Sequence, residues 1–263
     1  MRKINTIYHY RSFILSSIKN NVINRFIRSK LGGLWSILNP LSQVAIYALI
    51  LSNILSTKLP GIENKYAYSI YLMSGLLAWN LFNEIILKSL DMFINNGDLI
   101  KKMRFPKITI PLILLGESIF NNILLLIAII FIFFILGHDF TYRIVYLIPF
   151  FLMLPIFSIS IGIILGLFNV FIRDIGQIVP ILLQVLFWFT PIAYPLSIIP
   201  EKYQYLLDFN IVSYFTRSYQ TILAYDKIPS VSYFLITFIF TVALLFLSLF
   251  IFKKANSEMV DVL

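Results

Sequence analysis

Residues 31–57, 144–172, 175–200 and 228–252 contain no charged side chain. Runs of that length constrain the chain more than any motif in it. A helix rises 1.5 Å per residue and a bilayer core is about 30 Å thick, so about twenty apolar residues cross it. Inside lipid every backbone N–H and C=O needs a partner within the protein, and a continuous apolar run meets that need as a helix. Two further runs qualify. Residues 66–83 form one, which can extend past Glu84 to about residue 90, and residues 108–136 form the other, interrupted only by Glu117. The chain therefore reads as an all-α membrane protein with six transmembrane helices. Pro191, Pro195 and Pro200 should end the fifth helix near Thr190. Composition excludes the soluble alternative. Only 13% of residues are charged and 59% are hydrophobic, whereas a soluble domain carries about 25% charged residues.

The net charge is +9, and it is distributed around the spans rather than gathered in a soluble module. Anionic lipid headgroups and the positive-inside rule explain it better than nucleic acid does. With the N-terminus placed inside, fourteen cations fall on inner segments and six on outer ones, Lys88 being left aside at the inner boundary. Both termini are expected in the cytoplasm. The start, Met1-Arg2-Lys3, resembles a signal peptide, but the apolar run Phe13-Ile14-Leu15 is too short for one, so the segment is expected to be retained.

Two regions are neither span nor simple loop. Within residues 8–30, Leu15, Ile18, Val22 and Phe26 share one helical stripe, the pattern of an amphipathic helix in the headgroup plane. A helix packed on a soluble partner would share that pattern. Residues 194–226 are too polar to span and too apolar for a free loop. Pro195, Pro200 and Asn210 divide them into two short helices, read as a re-entrant hairpin between the fifth and sixth spans, with a surface helical lid as the alternative. The expected organisation is a cytoplasmic tail with its interface helix over 1–34, a transmembrane domain over 35–252 and a cytoplasmic tail over 253–263.

Catalytic constellations are missing. No glycine is followed by lysine, so no phosphate-binding loop of the Walker type exists. There is no Asp-x-Asp pair to hold a metal–nucleotide-sugar, and no cysteine for a disulfide or a thiolate metal site. The two histidines, His9 and His138, fall on opposite sides of the membrane in this topology. His138-Asp139 could be imagined as an acyl-transfer base, but it also reads as a solvated turn. Glu84 and Glu117 are the most deeply embedded acids, and an intramembrane carboxylate is a functional candidate by default. Helix packing or channel lining suits them better than a proton relay.

Three stretches resemble a known family. Arg25-Phe26-Ile27-Arg28-Ser29-Lys30-Leu31-Gly32-Gly33-Leu34-Trp35-Ser36-Ile37-Leu38-Asn39-Pro40 resembles the R-Y-x-x-S-x-L-G-x-L-W…N-P signature of ABC-type-2 polysaccharide export permeases, with Phe26 in place of the usual tyrosine. Asn95-Asn96-Gly97-Asp98-Leu99-Ile100-Lys101-Lys102-Met103-Arg104-Phe105-Pro106 is similar to the family's first cytoplasmic loop. Asn169-Val170-Phe171-Ile172-Arg173-Asp174, followed by Phe187-Trp188-Phe189-Thr190-Pro191-Ile192-Ala193-Tyr194, is similar to its N-x-F-x-R-D and F-W-x-[ST]-P-I-x-Y blocks. The blocks occur in order along essentially the whole chain. The nearest resemblance is to O-antigen export permeases of lipopolysaccharide assembly, with teichoic acid permeases close and capsule permeases further away.

That resemblance implies a homodimeric transport subunit in the bacterial inner membrane, paired with two copies of a separate ATPase. ATP and magnesium would belong to that partner, and this chain would need no cofactor. The implied substrate is a polysaccharide on undecaprenyl diphosphate. A glycan and diphosphate cannot enter bare hydrocarbon, where a single ion costs on the order of 20 kcal/mol in the idealised limit. A channel between two copies is therefore expected. Trp35, Tyr47, Tyr68, Tyr71, Trp79, Phe187, Trp188 and Tyr194 are candidates to line it, or else to form a lipid-interface aromatic belt. Arg25, Arg28 and Lys30 are candidates to receive the diphosphate, or to bind anionic lipid. Asp98, Leu99 and Ile100 are the expected handle for the ATPase, with Asp98 capping a short helix. Arg173 and Asp174 are expected to order the second inner loop through an ion pair. A membrane-embedded glycosyl- or acyl-transferase is the alternative from another class, and it would need convergent histidines or carboxylates.

Overall fold

The computed structural model describes residues 10–28, 35, 38–39, 41–42, 66–102, 106–255 and 258–259. Among them the ordered elements are α1 (Arg11–Arg28), α2 (Ala67–Leu90), α3 (Gly97–Lys102), α4 (Thr109–Ile135), α5 (Leu147–Phe171), α6 (Ile175–Trp188), α7 (Glu201–Asp208), α8 (Ile211–Leu223) and α9 (Val231–Ala255). A 3-10 turn at Tyr142–Tyr146 leads into α5, and another at Leu196–Ile198 precedes α7. The described residues form helices and no strand. Four helical stretches are long and apolar enough to cross a membrane: α2, α4, Tyr142–Phe171 with its leading turn, and α9. The expected fifth span is α6, whose 14 residues reach only about 21 Å at 1.5 Å each, short of a bilayer core. Most of the expected first span, 31–57, lies outside the described residues.

Helix α2 is the hub. It packs against α4, α5, α6 and α8, while α9 lies on α5 and α8. Hydrophobicity cannot drive helices together in lipid, so close approach and polar contacts must. Gly162 and Gly166 of α5, spaced G-x-x-x-G, let that helix touch α2. A Cβ on Gly166 would lie 2.3 Å from the Ser89 carbonyl oxygen, and one on Gly162 would lie 2.3 Å from the Ser89 Oγ. On α4 the buried residues include the polar set Glu117, Ser118, Asn121 and Asn122. Asn122 donates to the Leu77 carbonyl of α2 at 3.1 Å.

Helix α1 packs along α4 through a face that shares Ile18 and Val22 with the stripe that periodicity picks out but not Leu15. Ile14 is buried and Ile18 half-buried, whereas Leu15 is 65% exposed. The face turned inward is Ile14, Ile18 and Val22, with exposed Asn21 at its edge, and Gly116 of α4 makes room for Ile18. This corrects the stripe read from sequence at its first member, Ile14 taking the place of Leu15. A helix with apolar residues on several sides has more than one face able to pack, and Gly116 decides between them. The breaks expected from proline and asparagine occur. α6 stops at Trp188, just before Pro191, and Asn210 caps α8 by accepting from the Val212 N–H at 3.0 Å.

Candidate functional site

The chemistry-bearing residues fall at the two ends of the bundle. At one end α2 finishes, α3 follows and α4 begins. Here Asn21 donates to Glu117 at 2.5 Å, and Asn121 donates to Glu84 at 2.6 Å. Lys88 is ion-paired with Glu84 one turn earlier on α2. The two embedded carboxylates therefore tie α1 to α4 and α4 to α2. Lys88, Glu117, Asn21 and Leu99 border a cavity of about 390 Å³.

Asn169 orders the loop between α5 and α6. Its Nδ2 donates to the Leu90 carbonyl at 3.0 Å and to Asp91 Oδ1 at 3.1 Å, and its Oδ1 accepts from the Gly176 N–H at 2.8 Å. The expected Arg173–Asp174 ion pair does not form. Both side chains are exposed, and no salt bridge joins them. Residues i and i+1 do not face each other on a helical path, and Asp174 is the residue leading into α6. The α3 handle also needs correction. Leu99 is 46% exposed, but Ile100 is 6% exposed and belongs to the chain's own core. Neighbours on a helix project about 100° apart, so the two cannot share one outward knob. Asp98 is exposed and lies inside the first turn of α3 rather than before it.

The eight candidate aromatics separate by role. Tyr47 and the cation Lys30 lie outside the described residues. Arg25 and Arg28 are on the last turn of α1, and Trp35 is half exposed. Tyr68 and Tyr71 are buried struts. Tyr68 donates to the Ala193 carbonyl at 2.7 Å, and the Tyr71 hydroxyl reaches the carbonyls of Pro191 at 3.1 Å and Tyr194 at 3.2 Å. Trp79, Phe187 and Trp188 stand together. Phe187 is edge-on to both tryptophans, with centroids 5.4 Å apart in each case. With Asn83 and Gln184 they line an open groove of about 340 Å³. Tyr194 donates to the Trp188 carbonyl at 2.6 Å. Burial raises its pKa, with the nearby Arg217 charge pulling the other way.

At the opposite end, Arg143 donates to Asp226 Oδ2 at 2.8 Å and to its carbonyl at 2.9 Å, and Thr141 donates to Asp226 Oδ1 at 2.6 Å. Asp226 takes a left-handed backbone, φ 47°, which Asp tolerates better than most residues. His138 lies edge-on to Phe133 and Phe140, and its Nε2 is 2.8 Å from the Leu223 carbonyl. It is a packing residue rather than an exposed base. Among the described residues no three of His, Cys, Asp and Glu converge on a metal-sized site. The residue missed by sequence reading is Arg217, which is 8% exposed on α8. It is the sole charge between residues 209 and 225, and that isolation was the available signal.

Residues 13–224 match the model of the ABC-2 type transporter family. The chain belongs to the ABC-2 type transporter family. This ABC-2 transporter is 28% identical over 240 residues to an O-antigen export system permease protein RfbA of Klebsiella pneumoniae, covering 91% of this chain and 90% of that protein. It is 26% identical over 264 residues to an O-antigen export system permease protein RfbA of Myxococcus xanthus, covering 99% of each. The polysialic acid transport protein KpsM of Escherichia coli is 27% identical over 187 residues, 70% of each chain. Membership makes the chain a multi-pass membrane transport protein, in keeping with its four candidate spans.

Proposed function

We propose that this ABC-2 transporter is the permease subunit of an exporter that moves an undecaprenyl-diphosphate-linked polysaccharide, of O-antigen type, out of the cytoplasm. The observation that carries the reading is similarity to O-antigen export permeases along 99% of the chain. The polysialic acid relative, matched over 70%, favours a capsule-type glycan as the second reading.

In this account the chain works in the bacterial inner membrane as a homodimer with two copies of an ATPase that bind ATP and magnesium. Six spans place both tails and the α3 end in the cytoplasm, with 1–34, 35–252 and 253–263 as tail, transmembrane domain and tail. Helix α1 lies in the headgroup plane, and Arg25, Arg28 and Lys30 receive the diphosphate. Exposed Leu99 is the contact for the ATPase. The Trp79–Phe187–Trp188 groove supports a channel wall between two copies, since flat rings can pass along sugar C–H faces. The G-x-x-x-G face of α5 is already filled by Ser89, so the copies must meet elsewhere. Residues 194–226 form the re-entrant outer hairpin.

Deleting the gene should leave lipid-linked glycan accumulating on the cytoplasmic side, and the intact gene should restore surface glycan. Normal surface glycan after deletion, with no second permease present, would refute the proposal.

A further inference from the structure

Arg217 is placed more deliberately than a packing residue requires. Its Nη1 donates to Asp208 Oδ1 at 3.0 Å, and Asp208 is about half exposed. The other edge of the guanidinium, Nε and Nη2, is enclosed and meets no hydrogen-bond partner. Leaving charged donors unsatisfied inside a protein is costly. Nε–H and Nη2–H also form the parallel fork that fits two oxygens of one anion. The guanidinium borders a cavity of about 250 Å³ shared with Tyr71, Gln220, Thr221, Tyr225 and Tyr233. The Tyr71 ring stands edge-on to Tyr225 at 6.0 Å. Gln220 is held by its Nε2 on the Pro191 carbonyl at 3.0 Å, in a space that Gly75 of α2 leaves open. The site is thus an open, tyrosine-lined pocket bordered by a buried guanidinium whose Nε–Nη2 edge has no hydrogen-bond partner.

We propose that the Arg217 pocket at the α8 end is a phosphoryl-oxyanion site, in which the Nε–Nη2 fork grips two oxygens of one phosphate group. Two sources present that chemistry there: the diphosphate of a lipid-linked glycan after transfer, and the headgroup phosphate of a bilayer lipid. The first source rests on the export reading; the site itself does not.

The test uses the full chain in dodecyl maltoside, which contains no phosphate, with inorganic diphosphate as probe and phosphorus NMR line width as readout. Wild type should broaden the signal saturably. Arg217→Lys keeps the charge for Asp208 but loses the fork, and should weaken binding by about tenfold. Asp208→Asn, at a half-exposed position, should tighten binding by removing the competing carboxylate. Repeating the titration in phosphatidylglycerol nanodiscs identifies the source. Weaker diphosphate binding there means that headgroups take the site, and unchanged binding means that they do not. No saturable binding by wild type, or wild-type binding in both variants, would overturn the proposal. Failure of the deletion experiment with this binding intact would remove the export reading and leave the site standing.

Discussion

Helices α2 and α9 are almost the same length, 24 and 25 residues, yet 78% of the core window of α2 is buried and only 17% of that of α9. The more apolar helix is the less buried one. In water that order would be perverse. In lipid it follows, because the bilayer tails are as apolar as leucine and burial gains no hydrophobic free energy. What earns a central position is the ability to pack closely and to pair polar groups. α2 supplies Tyr68 and Tyr71, whose hydroxyls bond carbonyls of the 191–194 turn, and the Leu77 carbonyl, which accepts from Asn122 of α4. Its Gly75 and Ser89 allow close approach of Gln220 and of Gly162 and Gly166. The buried set on α9 is Thr237, Thr241, Ser248 and Phe252, and the three hydroxyls bond their own helix. Its other faces carry exposed apolar side chains such as Leu235, Ile239, Phe246 and Phe250.

The sharpest way to break this contrast is to add bulk on α5 where α2 touches it. Gly166→Leu has no room, since the obstructing atom is the backbone oxygen of Ser89. It should cost about 3 kcal/mol or more and abolish a monodisperse peak in detergent chromatography. Leu249→Ala, at an exposed position on α9, should change stability by less than about 0.5 kcal/mol. Equal behaviour of the two variants would refute the hub role of α2.

Next come the neighbours on α3. Ile100→Asp buries an unpaired carboxylate and should cost roughly 3 kcal/mol, lowering the yield of folded protein. Leu99→Asp should leave melting unchanged while reducing co-purification of the ATPase and export. If Leu99→Asp retains both, Leu99 is not the contact.

Asn169→Leu removes the bonds that join the ends of α2, α5 and α6. A loss of about 2 kcal/mol is expected, read as a lower thermal midpoint, together with faster hydrogen exchange at Gly176. No change at Gly176 would show the link to be dispensable.

The smallest structural effect is expected at Arg25 and Arg28. The double change to lysine should assemble normally and keep membrane charge, worth about 1 kcal/mol per cation in either form, yet export poorly because the guanidinium fork is gone. Wild-type export by the lysine version, with a defect only in the alanine version, would reduce the pair to a charge patch.

The helices themselves were legible because lipid imposes length and the absence of charge. The run 66–90 became Ala67–Leu90, 108–136 became Thr109–Ile135 and 144–172 became Leu147–Phe171. The break at Asn210 was legible too, because a side chain that can cap leaves a local signature. Facing was not. Periodicity reveals the apolar side of an amphipathic helix, but where adjacent positions are both apolar, as Ile14 and Leu15 are, it leaves open which of them turns inward, and Ile14 does. The burial of Arg217 was not legible either, because it lies beside Tyr71 of α2, which is distant in sequence. Asn169 stood in a recognised block, but its bonds to Leu90, Asp91 and Gly176 are tertiary facts.

The central claim is ATP-driven export of a lipid-linked glycan, and reconstitution tests it most directly. The chain and its partner ATPase would be placed in liposomes carrying undecaprenyl-diphosphate-linked glycan, and the glycan on the ATPase-distal face would be measured by its cleavage with a membrane-impermeant glycosidase. The account predicts cleavage that rises with ATP and disappears when the partner's ATP hydrolysis is blocked. Active hydrolysis by the complex with no ATP-dependent exposure of the glycan would contradict it.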